Sequence, residues 1–282
     1  CGPCRAGGTG RDGRGHPGGD DVAMAREDGE RLIVYGRHPV LEALRSGGRR
    51  VDEVLVEREA GGRGADVLAL ARQAGVRCSP APRAALTALA GTPHHQGVVA
   101  RVAAHPYADL EELLEVPRQR GEPGLLVLLD QVQDPGNLGN LLRTAEALGV
   151  HGVAVLRHQA VGLTGHAVKA AAGALEYLPV ASIGNLAQAL EILQGEGYWV
   201  IGASAEPAGL PPPWRLDLRG PIALVLGSEG RGLRPLVARR CDALTRIPLA
   251  GRVASLNVGA AGAALLYEVV RQRRQAGEEK KK

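Results

Sequence analysis

From Leu32 onward the chain alternates short apolar runs with stretches whose apolar residues recur at helical spacing. Strands are predicted over residues 32–35, 51–56, 76–78 and 98–102, with helices over 39–45, 65–73 and 84–89 between them. Alternation of this kind predicts a small α/β domain. A second series opens on residues 125–129, an unbroken apolar run of the sort buried on both faces of a parallel sheet. Further strands are predicted over 153–156, 178–180, 198–202, 222–226 and 243–247, and helices over 138–148, 167–175, 185–194 and 234–240. A long last helix is predicted over 256–274. Between the two series, Pro106, Pro117 and Pro123 flank and interrupt a charged amphipathic piece, which reads as a linker. The expected organisation is therefore a Gly/Arg-rich tail (1–29), a smaller α/β domain (30–105), a linker (106–124), a larger α/β domain (125–275) and a charged tail (276–282).

Composition narrows the partner without naming it. A formal net charge of +4 suits a polyanion but falls far short of a histone-like tail. Phenylalanine is absent and aromatics make up 2 % of residues, so a surface reading single strands through a row of stacked bases is poorly supported. Recognition would lean on phosphate, ribose and shape. Residues 1–29 hold almost no large apolar side chains and are expected to be disordered. Met24, the single methionine, marks a candidate biological start. No apolar run reaches membrane-spanning length and no signal-peptide core is evident, which predicts a soluble cytoplasmic protein.

Several matches to known chemistry fail on context. Of four cysteines, Cys1 and Cys4 form a CxxC, but neither the second ligand pair of a zinc ribbon nor the helix of a thioredoxin unit follows. Two GxGxxG matches, from Gly8 and from Gly13, follow no strand, which removes the main support for a nucleotide-binding dehydrogenase. No Gly-Lys pair exists for a P-loop, Ser228 lacks the spacing of a nucleophile elbow, and His94 and His95 are too close in sequence to chelate together. No metal site is expected.

Three segments carry candidate chemistry. The first, Asp134-Pro135-Gly136-Asn137-Leu138-Gly139 with Arg143-Thr144-Ala145, follows a buried strand. Asn137 is placed to cap a helix, and Arg143 to lean back toward that helix's start, although a capping Asn and a surface Arg would read the same way. The second, Leu226-Gly227-Ser228-Glu229-Gly230, offers glycines for close backbone approach to a ligand and a single acid. In the third, Ile247 to Ala261, Ser255 is placed to cap the last helix with Asn257 in its first turn. The Gly/Ala tract over 259–264 implies a close packing partner, since Gly inside a helix costs about 1 kcal/mol.

The ordered set of these segments resembles the three motifs of the SpoU/TrmH (SPOUT) RNA 2'-O-ribose methyltransferases. Tyr35-Gly36 with His38-Pro39-Val40 and the run His95-Gln96-Gly97-Val98 resemble the substrate domain of its branch acting on a guanosine of 23S rRNA, and Lys169-Ala170-Ala171-Ala172-Gly173-Ala174 adds a further match between the first and second motifs. The likeness spans about residues 31–275. It implies a SPOUT domain with a deep trefoil knot, an N-terminal domain similar to ribosomal protein L30e that grips RNA, and a homodimer with the active site at the subunit interface. The methyl donor would be S-adenosyl-L-methionine (AdoMet), held near Leu226, Gly227, Gly230, Ile247, Leu249, Ser255 and Leu256. Arg143, Asn137, Glu229, Ser255 and Asn257 would form the catalytic constellation. A tRNA 2'-O-methyltransferase and a catalytically silent RNA-binding assembly factor remain as alternatives.

Overall fold

The computed structural model describes residues 31–48, 50–58, 64–158, 160–206, 209–253 and 255–279. The expected tail over 1–29, with the Cys1–Cys4 pair, Met24 and the GxGxxG matches, lies outside the described residues, as do the last three lysines.

The first sheet contains β1 (Arg31–Tyr35), β2 (Val51–Glu57), β3 (Arg77–Ala81) and β4 (Val98–Ala103), in the order β1-β4-β2-β3. β4 lies antiparallel to both neighbours, and β2 pairs with β3 in parallel. The helices α1 (Arg37–Ser46), α2 (Ala65–Gln73) and α3 (Arg83–Ala90) connect them. β3 runs further than its apolar residues predict, through Pro80. It is an edge strand, where a residue without an N–H leaves no ladder bond unmade.

The second sheet is all parallel, in the order β10-β8-β9-β5-β6-β7. Its strands are β5 (Leu125–Asp130), β6 (Gly152–Leu156), β7 (Val180–Ile183), β8 (Trp199–Ala203), β9 (Ile222–Gly227) and β10 (Ala243–Thr245). Every residue of β5 is buried. Alternate side chains enter two cores: Leu125, Val127 and Leu129 join Leu138, Leu141, Leu265 and Val269, while Leu126 and Leu128 join Leu113, Leu190 and Val237. The first face is covered by α5 (Pro135–Ala147) and α9 (Val258–Glu279), the second by α4 (Leu110–Arg120), α7 (Leu186–Gly195) and α8 (Pro235–Arg240).

The segment expected as a linker therefore does more than connect. Asp109 and Glu112 form a capping box for α4, and Leu110, Leu113 and Leu114 are buried against the second sheet. Ala108 adds a parallel bridge to Ala181 beside β7. The helix expected over 167–175 is shorter, because α6 (Gly165–Ala170) is stopped by Ala172 and Gly173, both at positive φ. Gly173 is required twice over: its φ is +95°, and a Cβ there would lie 2.6 Å from Glu42 Cβ.

That crowding belongs to the junction between the two sheets. The Tyr177 hydroxyl donates to Glu42 at 2.7 Å, Ser46 Oγ donates to Glu176 at 3.1 Å, and the Lys169 ammonium sits 4.4 Å from the centre of the Tyr35 ring. The Lys169–Ala174 run thus seats the first sheet's elements on the second.

Two buried histidines tie loops in place. Gly97 N–H donates to His95 Nδ1 at 3.1 Å, leaving Nε2 to meet the Thr87 hydroxyl at 3.1 Å. Leu125 N–H donates to His151 Nδ1 at 3.0 Å, with Nε2 facing Glu122 at 3.1 Å. Burial, aided by Arg83, lowers the His95 pKa; burial also lowers that of His151 against the pull of Glu122. Both folded-state values lie below the ordinary imidazole value of about 6.5, so the unfolded chain binds more protons in the window between them. The stabilisation is complete above about pH 6.5 and is lost as the pH falls through the folded values. Urea midpoints should therefore drop between pH 7 and pH 5, and the drop should shrink in His95→Gln; an unchanged slope would remove His95 as a source.

Candidate active site

The three motif segments meet at the carboxyl end of the parallel sheet, where open α/β sheets place ligands. β5 and β9 are neighbours, with Asp130 opposite Gly227, so the loops leaving them lie side by side. α9 packs against α5 and supplies the third segment from its N-terminus. The Gly/Ala tract explains this approach: a Cβ on Gly262 would lie 2.5 Å from Leu141 Cδ1 of α5 and 3.1 Å from Leu226 Cδ1 of β9.

Asn137, Glu229 and Asn257 form a closed ring of hydrogen bonds. Asn137 Nδ2 donates to Glu229 Oε1 at 2.7 Å, and Asn257 Nδ2 donates to the same oxygen at 2.7 Å and to Asn137 Oδ1 at 2.8 Å. The sequence separations are 92, 28 and 120 residues, so only the tertiary fold can bring these side chains together. Bonds to a carboxylate are charge-assisted and hold its orientation more firmly than neutral ones.

Two capping expectations need correction. Asn137 does not cap α5. Asp134 does, accepting from Asn137 N–H at 2.6 Å with Pro135 following it, a placement that suits the missing N–H of proline. Ser255 does not cap α9. Asn257 does, its Oδ1 accepting from Gly259 N–H at 2.8 Å and Ala260 N–H at 3.4 Å. In both cases a residue of equal capping power stands at the true boundary, and Asn137 keeps its amide for Glu229.

The Glu229 loop is a tight hairpin. Ser228 and Gly232 exchange backbone hydrogen bonds of 3.2 and 2.9 Å, with Gly230 and Gly232 at positive φ. A Cβ on Gly227 would overlap the Gly232 carbonyl and the Leu233 nitrogen. The base of the hairpin is clamped by Asp130, a residue that motif reading left without a role. Its buried carboxylate accepts from Arg234 N–H at 2.8 Å and from Arg234 Nε at 2.6 Å. An acid closing an otherwise apolar strand was the available signal. Nearby, burial and then the charges of Asp242 and Asp130 push the Cys241 thiol up to about 12, which leaves it unreactive.

The remaining predicted residues make no hydrogen bond to the ring among the described residues. Arg143 stands exposed on the outer face of α5 and has no hydrogen bond or ion pair among the described residues. Ser255 and Leu256 are exposed in the segment before α9, and Ile247 and Leu249 are half-buried in it. Among the described residues, the backbone of 247–256 makes no hydrogen bond to other backbone. Leu256, 42 % exposed, and Val253, 74 % exposed, add apolar surface beside these free polar groups. Open backbone donors and acceptors with apolar side chains suit a purine, and Gly230 has open space where a Cβ would stand. Among the described residues no cluster of His, Cys, Asp or Glu is placed to hold a metal ion, and no helix is long and apolar enough to cross a membrane.

Comparison with known proteins gives this geometry a family. Residues 124–267 match the SpoU rRNA methylase family, and residues 33–108 match the RNA 2'-O ribose methyltransferase substrate-binding family. A 23S rRNA (guanosine-2'-O-)-methyltransferase, RlmB, of Ralstonia nicotianae is 44 % identical over 243 residues, covering 86 % of this chain and 96 % of its own length. A protein of Bacillus subtilis assigned to the TrmH family of tRNA/rRNA methyltransferases is 40 % identical over 250 residues, covering 87 % and 97 %. The crystal structure of the SpoU methyltransferase AviRb from Streptomyces viridochromogenes, in complex with AdoMet, superposes with a TM-score of 0.72 at 28 % identity, covering 87 % of this chain and 91 % of that one. An AdoMet-bound rRNA methyltransferase from Sinorhizobium meliloti superposes with a TM-score of 0.71 at 27 % identity, covering 86 % and 87 %. The chain belongs to the SpoU rRNA methylase family and has its SPOUT fold. It is an RNA methyltransferase.

Proposed function

We propose that the chain transfers the methyl group of AdoMet to a ribose 2'-hydroxyl of rRNA, at a guanosine of 23S rRNA, in the cytoplasm. The observation that carries the reading is the Asn137–Glu229–Asn257 ring, which unites all three motifs at the carboxyl end of the parallel sheet. The Ralstonia relative's name supports the guanosine and the 23S rRNA. In this reading residues 125–275 form the knotted methyltransferase domain, and residues 30–105 form an L30e-like domain that grips RNA.

AdoMet, when bound, supplies an electrophilic sulfonium methyl. Leu226, Gly227, Gly230, Ile247, Leu249, Ser255 and Leu256 would hold it. A ribose 2'-hydroxyl is a weak nucleophile, so the protein must orient it and ease loss of its proton. Glu229, fixed by Asn137 and Asn257, orients the reacting groups together with Ser255. Arg143 stays protonated, so it acts as a donor that fixes the neighbouring phosphate and stabilises the developing alkoxide. Its exposed position supports a homodimer through the SPOUT domain in which α5 and α9 face the partner. The outer side of α9, which packs on α5, carries exposed Ala260, Ala264 and Tyr267.

Mapping 2'-O-methylation in 23S rRNA and tRNA from cells with and without this gene tests the substrate. Loss at one 23S guanosine is expected. Loss confined to tRNA, or no loss at all, would overturn the assignment.

A further inference from the structure

Tryptophan occurs twice in 282 residues, yet Trp214 is 57 % exposed. It lines a cavity of about 370 Å³ together with Arg215, Arg219, Arg271, Gln272 and Gln275. The wall that carries it is built, not loose. Pro211, Pro212 and Pro213 restrict the backbone before it. The Pro211 carbonyl accepts from Thr245 Oγ1 at 2.9 Å and from Arg246 N–H at 3.2 Å. On the far side Gln272 of α9 accepts from Leu218 N–H at 2.9 Å and donates to the Leu216 carbonyl at 3.1 Å. A ligand meeting this wall would lose little entropy in ordering it.

The charges are arranged for an anion. Arg219 is held by Asp217, whose carboxyl its guanidinium and backbone N–H lower to about 2, and Arg271 is held by Glu268. Arg215 makes no ion pair among the described residues, so the lining keeps a net positive charge after both pairs are counted. The indole N–H of Trp214 likewise has no acceptor among them.

An open aromatic face beside an unpaired guanidinium, in a pocket of this size, matches one chemistry: an unstacked base with its phosphate. The geometry points to a second RNA contact on the methyltransferase domain, in which one nucleotide of a single-stranded stretch stacks its base on Trp214 and sets its phosphate on Arg215. A duplex has no free base face to offer. The scarcity of aromatics argues against a row of stacked bases but leaves room for one. The cavity lies along α9 from Asn257, about 20 Å from it at the helical rise, so this contact is separate from the methyl-transfer site. It is separate as well from the region matching the substrate-binding family, residues 33–108. The inference rests on RNA being the substrate.

The test uses the full chain and a fluorescently labelled, unstructured oligoribonucleotide, with anisotropy as the readout. Trp214→Ala should weaken binding about tenfold, and Trp214→Tyr should recover most of the loss. Arg215→Ala should weaken it as well and lower the salt slope by about one phosphate contact. AdoMet affinity by calorimetry and protomer number by sedimentation should not change in any variant. If the wild type binds the oligonucleotide and methylates rRNA while Trp214→Ala and Arg215→Ala bind as tightly, the contact is refuted and the methyltransferase reading stands. If the wild type binds no RNA, that reading itself fails. Loss of AdoMet binding or of assembly in Trp214→Ala would assign the cavity to those roles and overturn the RNA contact. Should Trp214→Ala not fold, Arg215→Ala decides.

Discussion

Replacing Arg143 with alanine is expected to lower kcat by about 10² to 10³, the usual loss when a preorganised donor to a developing oxyanion is removed. Arg143 is exposed and makes no side-chain hydrogen bond or ion pair among the described residues, so the variant should melt at the wild-type temperature. It should also bind AdoMet normally, because the residues expected to hold the donor lie in other segments. Arg143→Lys keeps the charge but not the planar fork, and should recover only part of the loss. Near-normal turnover in a folded Arg143→Ala protein would remove this residue from the mechanism.

The second large effect is expected at Gly227. An added methyl group would overlap backbone atoms of Gly232 and Leu233, which cannot swing aside as a side chain can. Either the Ser228–Gly232 hairpin opens or the strand end shifts, at a cost of about 1 to 3 kcal/mol. Both responses move Glu229 away from Asn137 and Asn257. Gly227→Ala should therefore lose AdoMet affinity by at least about tenfold and lose nearly all turnover, while circular dichroism still reports a folded α/β protein. Gly251→Ala provides a control in the third motif segment, since among the described residues no atom lies within 4 Å of the added carbon. Wild-type AdoMet binding by Gly227→Ala would show that the hairpin's shape does not matter.

Much of this architecture could be read from the order of residues. The run Leu125–Asp130 announces a central parallel strand because it is apolar at every position but the last, and it is buried on both faces. The residues of the ring could be named because each sits in a short motif next to a strand or helix end. What brings Asn137, Glu229 and Asn257 together could not be read, since the bonds join residues up to 120 positions apart. Ser, Asn and Asp are near equals as N-caps, so composition does not choose between Ser255 and Asn257, or between Asp134 and Asn137. Proline at 135 was the better guide to the first. The docking of α4 was hidden by Pro117, which looks like a breaker but lies near the end of a helix whose leucines fit the second sheet. The role of Asp130 is not legible locally, because its partner Arg234 lies 104 positions away.

The proposed reaction methylates ribose, not a base. Purified protein incubated with isotopically labelled AdoMet and unmodified 23S rRNA should label the RNA, and nucleoside mass spectrometry should find the label in the ribose of 2'-O-methylguanosine. The neighbouring phosphodiester should resist alkali, since a methylated 2'-oxygen can no longer attack it. Label recovered on a nucleobase, or no label with folded, AdoMet-binding protein, would contradict the account.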